Sequence, residues 1–301
     1  MSLVIPKYKE VIINCDKETA TIWVAMNPIG RQCFTPSMLV ELHDLMHRLD
    51  EYGSPDPSHP DIIRYLVLES AHPELYNLGG DLKHFSDLVQ QKQSAQLKDY
   101  GTVCIDLIYW TLTGGKRNIT TIAHVAGDAF GGGFEAALAC NYMIAEKQSV
   151  FSFPESLFGF FPGMGAYDLF RRFSGPLEAD RAFTTGKRYS AQELKLMGGI
   201  YHLVNKGEGR KAIENFIAER ESNQIPHTAL HKIKQYDQNI SYASLAYSID
   251  LWVEAAMSLT KRNLRMMSIL VRRQKKKSPT NQYQNNNNNT QPETLKAVSS
   301  N

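Results

Sequence analysis

The stretch 123–167, AHVAGDAFGGGFEAALACNYMIAEKQSVFSFPESLFGFFPGMGAY, restricts the fold more than any other part of the chain. The apolar run 121–125 leads into it and suits a buried strand. Gly131, Gly132 and Gly133 follow, and then a helix-forming run, 134–139, with Glu135 in its first turn. An apolar strand delivered through a glycine turn into a helix is the repeating step of an α/β domain. Twenty positions after Glu135, a second acid, Glu155, stands among Phe, Pro, Leu and Gly. Two carboxylates in glycine-rich, aromatic surroundings, beside a helix N-terminus able to bind an oxyanion, point to acid–base chemistry.

The same alternation recurs on either side. Residues 8–14 and 20–26 read as an opening hairpin joined by DKET. Residues 35–49 read as a helix, with Pro36 near its start and Leu39, Leu42, Leu45, Met46 and Leu49 on one face. A turn-rich loop, GSPDPSHP at 53–60, precedes the apolar run 62–68, which suits a strand buried on both faces. NLGGDL at 77–82 is a second glycine turn into a helix, and 96–112 reads as one long helix. The sheet is therefore expected to be largely parallel.

Beyond about residue 206 the pattern is all-helical. Ile249, Trp252, Val253, Ala256, Leu259, Met266 and Leu270 recur at helical spacing, broken once by Asn263. The domain expectation is a catalytic core over 1–205, a helical region over 206–274, and a disordered polar tail over 275–301 containing NNNNN.

Composition excludes several classes. With 301 residues, 43% of them hydrophobic, the chain can bury a large core, and a net charge of +2 gives no electrostatic basis for nucleic-acid binding by the whole protein. Cys15, Cys33, Cys104 and Cys140 show no CxxC spacing, so neither a disulfide framework nor a zinc ribbon is expected. No apolar stretch approaches the ~18 residues of a spanning helix, and the N-terminus lacks the apolar core of a signal peptide. A cytoplasmic protein that is not integral to a membrane is expected.

Each chemical candidate has a plainer reading. The glycine cluster is either a turn too tight for a Cβ or a site where an N–H stabilises negative charge on a ligand. Gly79-Gly80-Asp81 could supply a second such donor, but there is no GxGxxG and no GxxxxGK[ST]. Glu135 is either a helix-start acid favoured by the macrodipole or a catalytic group. Glu155 is either a surface acid or a desolvated carboxyl with a raised pKa. His43/His47 and His227/His231 share HxxxH spacing without a third ligand; a solvated helix face is expected and no metal. The Lys/Arg run 261–277 suits a solvated helix end more than an anionic membrane or nucleic acid. Trp252 is core or the wall of a lipid pocket.

NLGGDL, AHVAGDAFGGGFEAALAC and FSFPESLFGFFPGMGAY resemble the crotonase (enoyl-CoA hydratase/isomerase) superfamily, over roughly residues 8–274. The spacing of Glu135 and Glu155 is that of its two catalytic glutamates. GGGFEAAL, FPGMGAY and WVEAAMSLTKRNLRMMSILVRRQ resemble most closely its diffusible-signal-factor synthases. The resemblance implies an α/β fold of repeated ββα units with a C-terminal helical region, assembled as a trimer or a dimer of trimers. It implies oxyanion-hole donors at Gly80 and Gly132, an acid–base pair at Glu135 and Glu155, and no cofactor. The substrate is then a fatty acyl thioester of acyl carrier protein or coenzyme A. Phe130, Phe158, Met164, Trp252 and Leu270 are expected to bind it, with Trp252, Ala256, Met266, Met267 and Leu270 forming an apolar wall on one helix.

The activity implied is that of a quorum-sensing signal synthase. It would dehydrate a medium-chain 3-hydroxyacyl thioester to the cis-2-enoyl form and hydrolyse that to the free acid, with a sensor histidine kinase as a further partner. The alternatives are a CoA-dependent enoyl hydratase/isomerase and a non-catalytic protein of this fold that binds acyl groups or a kinase.

Overall fold

The computed structural model describes residues 5–52, 63–237 and 240–275. The loop at 53–60 and the tail from 276 onward, both read from sequence above, lie outside the described residues.

Strands β1 (Val11–Asp16) and β2 (Thr21–Met26) form the opening antiparallel hairpin. Helix α1 (Pro36–Glu51) follows, capped by Thr35, whose side chain accepts the Met38 N–H, with proline in its first turn. Three repeats then take over. Strands β3 (Tyr65–Ser70) and β4 (Leu75–Asn77) precede helices α2 (Leu82–Gln90) and α3 (Ser94–Thr113). Strands β5 (Thr120–Val125) and β6 (Asp128–Phe130) precede α4 (Gly132–Ala139). Strands β7 (Tyr142–Glu146) and β8 (Val150–Ser152) precede a 3-10 turn at Pro154–Phe158 and helices α5 (Ala166–Ser174) and α6 (Pro176–Thr185). The first strand of each pair joins a six-stranded sheet, β1-β2-β3-β5-β7-β10, and the second joins a four-stranded sheet, β4-β6-β8-β9. These sheets are completed by β9 (Arg188–Ser190) and β10 (His202–Val204), with α7 (Ala191–Leu196) between them.

Apart from β1·β2 and β8·β9, the pairings are parallel. Parallel strands covered on both faces carry apolar residues throughout, as in LVL of β3 and TIA of β5.

The C-terminal helices are α8 (Gly209–Ser222), α9 (Gln224–Asp237), α10 (Tyr242–Met257) and α11 (Lys261–Lys275). They do not share a core of their own. Ile213, Phe216 and Ile217 of α8 cover one face of the large sheet against Trp23, Tyr65, Val67, Ile122, Tyr142 and Ile144. Leu245 and Ile249 of α10 join the main core.

The apolar wall expected on one helix is divided between α10 and α11. Thr260 and Asn263 cap α11 reciprocally: the Asn263 side-chain oxygen accepts the Thr260 N–H at 3.0 Å, and the Thr260 hydroxyl accepts the Asn263 N–H at 3.3 Å. The residue that interrupts the stripe is thus the one that starts a new helix. Among the described residues no helix is long and apolar enough to cross a membrane.

Candidate active site

Three neighbouring strands of the small sheet end in the three segments singled out by sequence. Gly79-Gly80 leaves β4, Gly131-Gly132 leaves β6, and Phe153-Pro154-Glu155 leaves β8, with β4·β6 and β6·β8 both parallel. All three therefore emerge at the same end, displaced sideways by the spacing of hydrogen-bonded strands, about 4.8 Å each.

The glycines are required by close approach. A Cβ on Gly133 would lie 2.2 Å from the Asn77 carbonyl oxygen, so α4 can start against β4 only with hydrogen there. Gly131 has φ +51°, and a Cβ on it would lie 2.3 Å from Glu155 Oε1. The Glu155 carboxyl thus rests where a side chain of Gly131 would be.

The N–H groups of Gly80 and Gly132 are close together: a Cβ on Gly132 would lie 3.4 Å from Gly80 N, and one on Gly79 3.0 Å from Gly132 N. Their neighbours are engaged. The Gly79 N–H donates to Asn77 Oδ1 at 2.8 Å, the Asp81 N–H to the Tyr100 hydroxyl at 2.9 Å, and the Gly131 N–H to the Ser152 carbonyl at 2.9 Å. Among the described residues neither the Gly80 nor the Gly132 N–H has an acceptor. Two adjacent amide donors without acceptors are what a developing oxyanion needs.

Glu135 is 1% exposed. Its Oε1 accepts the N–H of Met164 at 2.7 Å and of Ala166 at 3.0 Å, so the FPGMGAY run is folded around this carboxyl. Glu155 is half-buried, but its Oε2 is shut off from solvent and has no hydrogen-bond partner among the described residues. Burial lifts the Glu135 carboxyl to about 8, the Glu155 charge adding to the effect and the two backbone donors opposing it. Burial likewise lifts Glu155 to about 7. Carboxyls poised near neutrality are suited to moving protons at physiological pH.

These shifts set a stability expectation. A carboxyl whose pKa is higher in the folded chain than in the unfolded one stabilises the fold while protonated. That contribution is complete below the ordinary value of 4.5 and is lost as pH rises through about 7 and about 8. Across this window, from about pH 5 to about pH 9, the melting temperature should fall less steeply for Glu155→Gln than for the native chain, because glutamine has no charge to bury. Parallel curves would refute the buried charge. The comparison with a variant matters because His124, which burial alone would lower but hydrogen bonds to Glu146 and Glu69 raise, titrates as well.

Gly80, Gly132, Glu135 and Glu155 line one cavity of about 50 Å³ together with Phe158, Met164 and Trp252. Two expected contacts are absent from that lining. Phe130 is half-buried on the opposite side of β6 from Ala129, with the Arg188 guanidinium 5.7 Å over its ring. Strand alternation sends adjacent side chains to opposite faces: Ala129 takes the core face and Phe130 the one that Arg188 covers. Leu270 is partly buried against the cluster that contains Phe85, Phe158 and Met267 without lining the cavity, and Met266 is exposed at 39%. Met267 is the residue of α11 that reaches the cavity. Phe85 and Tyr100 also line it and have no local sequence signal, and Ile249, the first residue of the apolar stripe, joins them, since α2, α3 and α10 converge there only in the tertiary fold.

The remaining histidines divide. His43 and His47 are exposed on α1, as expected. His231 is 5% exposed, contrary to a solvated face; burial, followed by the Arg220 charge, lowers it to about 4, and its Nε2 lies 3.0 Å from Gln235 Nε2. Among the described residues no group of three or more His, Cys, Asp or Glu is placed to hold a metal ion.

Comparison with known proteins agrees with this geometry. A family model described as enoyl-CoA hydratase/isomerase matches residues 27–277. The chain is 27% identical over 188 residues to "Probable enoyl-CoA hydratase 2, mitochondrial" of Arabidopsis thaliana, covering 62% of this chain and 58% of that one. It is 30% identical over 179 residues to the enoyl-CoA isomerase/hydratase of Mycosarcoma maydis, covering 59% of this chain and 62% of that one. The matched stretches thus span less than two thirds of either relative. Among solved structures, human mitochondrial delta3-delta2-enoyl-CoA isomerase superposes with a TM-score of 0.71 at 16% identity, covering 88% of this chain and 98% of that chain.

Proposed function

Since the chain belongs to the enoyl-CoA hydratase/isomerase (crotonase) family, we propose that it interconverts a 3-hydroxyacyl thioester and the corresponding 2-enoyl thioester. The observation that carries this reading is the shared cavity: the buried Glu135 and half-buried Glu155 carboxyls, with pKa values raised to about 8 and about 7, lie beside two amide donors without acceptors.

The thioester oxygen is held by the N–H groups of Gly80 and Gly132. Glu155 takes the proton from Cα, and the electron pair moves onto that oxygen as an enolate. When the pair returns to form the C2–C3 double bond, the C3–O bond breaks and Glu135 gives its proton to the leaving hydroxyl, releasing water. The cycle needs one proton shared by the pair, on Glu135. Burial raises both carboxyls, and the Glu155 charge raises Glu135 further, so a proton held by the pair at neutral pH is consistent with both environments. Because Glu135 Oε1 is occupied by two backbone donors, Oε2 is the oxygen left to carry the proton.

A second, finer reading adds hydrolysis. The same two donors would stabilise the oxyanion formed when water attacks the thioester carbonyl, before the carrier thiol leaves, in a cavity walled by Trp252, Phe158 and Met267. In that form the protein makes a free cis-2-enoic acid, the product of a diffusible-signal synthase. Either carrier is anionic, and α11 presents exposed Lys261, Arg262, Arg265, Arg272 and Arg273 beside the cavity without an acid on the helix. Free thiols at all four cysteines support a reducing, cytoplasmic setting. The exposed apolar residues Ile225, Ile233 and Tyr236 of α9 support self-association.

Incubation with 3-hydroxydodecanoyl carrier protein and, separately, 3-hydroxydodecanoyl-CoA, followed by mass spectrometry, tests these readings. An enoyl thioester establishes the first, and a free enoic acid establishes the second. Consumption of neither substrate overturns both.

Acyl-chain preference is expected to depend on Trp252. Its indole packs 5.0 Å from the Phe85 ring and 5.7 Å from Phe160, ring centre to ring centre. A cavity of about 50 Å³ holds a few waters, whereas apolar cavities that take even a benzene are about 150 Å³. A long tail therefore needs more room than this cavity offers, and Trp252 is the largest side chain in its wall. Trp252→Ala should shift preference toward longer or branched chains while destabilising the fold by about 3 kcal/mol. An unchanged product profile from a protein of lowered melting temperature would make Trp252 a packing residue only.

A further inference from the structure

Gln274 lies near the end of α11, among Arg272, Arg273 and Lys275, yet it is 2% exposed. Its side-chain Nε2 lies 3.3 Å from the Leu78 carbonyl oxygen and 2.8 Å from the Gly80 carbonyl oxygen. Its own backbone carbonyl accepts the Gln32 N–H at 3.1 Å. The two carbonyls it holds flank the peptide that joins Gly79 to Gly80, and the Gly80 N–H belongs to that peptide. The oxygen of the same peptide, Gly79 O, accepts the Phe34 N–H at 2.8 Å.

A peptide unit is planar, so fixing its oxygen and the units on either side fixes the direction of its N–H. Two consecutive glycines have no side chains to do this, and Gly79 has φ +90°. A primary amide has two N–H bonds, one for each flanking carbonyl. The same helix reaches the opposite side of the cavity. Met267, two turns before Gln274 and on the same face, lines the cavity, and Asn263 Nδ2 donates at 2.9 Å to Phe158 O, at the end of the Glu155 turn.

We propose that Gln274 is a positioning residue for catalysis: its amide clamps the Gly79–Gly80 turn so that the Gly80 N–H is aimed at the substrate oxygen. The proposal rests on the reading of Gly80 and Gly132 as the oxyanion donors.

The test compares Gln274→Met, which keeps the bulk and loses the amide, with Gln274→Ala, which loses both. Steady-state kinetics on the thioester that the native chain turns over would be measured alongside amide hydrogen exchange. Both variants should lose between about 10-fold and about 100-fold in kcat with KM little changed, because the clamp orients a donor used most in the transition state. Exchange at the Gly79 and Asp81 amides, whose bonds to Asn77 Oδ1 and the Tyr100 hydroxyl hold the same turn, should speed up in both. A loss confined to Gln274→Ala, or kcat equal to that of the native chain in both, overturns the clamp. Gly132→Pro serves as the control for the reading beneath it. If that variant retains full activity, the oxyanion assignment itself fails; if it is inactive while both Gln274 variants are normal, only the clamp fails.

Discussion

Glu155→Gln should lower turnover by about 10²–10⁴-fold, the ordinary contribution of a positioned general base. Glutamine keeps the shape of the side chain that rests over Gly131, so the loss reports proton transfer more than packing. The equivalent variant at the partner carboxyl is Glu135→Gln and not Glu135→Ala. The amide oxygen can still accept the Met164 and Ala166 N–H groups, which alanine would leave unpaired in a buried site. A comparable loss is expected there. The pH profile of kcat should also lose the limb that belongs to the substituted group. Near-native turnover in both glutamine variants would rule out the acid–base mechanism.

Gly132→Pro should cost about 10²–10³-fold in rate by deleting one of the two amide donors. Proline is usually a drastic choice, but here it suits the fold. Gly132 is the first residue of α4, the position where proline is best accommodated in a helix, and its N–H has no acceptor among the described residues. The nearest obstacle to a Cβ is Met164 Sδ at 2.8 Å, the flexible end of a side chain. Dehydration and any hydrolysis should fail together, because both place charge on the same oxygen. A folded variant, verified by its far-ultraviolet circular dichroism, that loses one activity and keeps the other would assign the two reactions to separate sites.

The catalytic candidates were legible because their constraints are local. A glycine turn between an apolar strand and a helix leaves amides exposed wherever the fold places it, and GGDL and GGGFE declare that geometry in a few letters. Glu135 and Glu155 stood out because acids are rare among phenylalanines. The misplaced residues depend on information that is not local. Phe130 has the composition of a pocket wall, but one step of strand alternation turns it toward Arg188. The division between α10 and α11 was hidden because the apolar period continues through the capping residues Thr260 and Asn263. Their T-x-x-N spacing was the available clue. Gln274 gave a weaker one: it falls seven residues after Met267, on the same helical face, inside a run dominated by charge. Tyr100, which joins Asp81 N to Phe34 O, depends on a meeting of three distant segments that no window of sequence contains.

The parallel trio β4, β6 and β8 of the small sheet has a consequence for how such a chain can diverge. Gly80, Gly132 and Glu155 hang from three adjacent strands, so backbone pairing sets the lateral spacing of the reactive groups and the side chains within β4, β6 and β8 do not. Substitutions inside those strands are filtered only for fit to the core. Those at the strand exits are filtered for chemistry. Mutation can therefore erase most of the resemblance between two descendants while the ruler that spaces their reacting groups stays the same length.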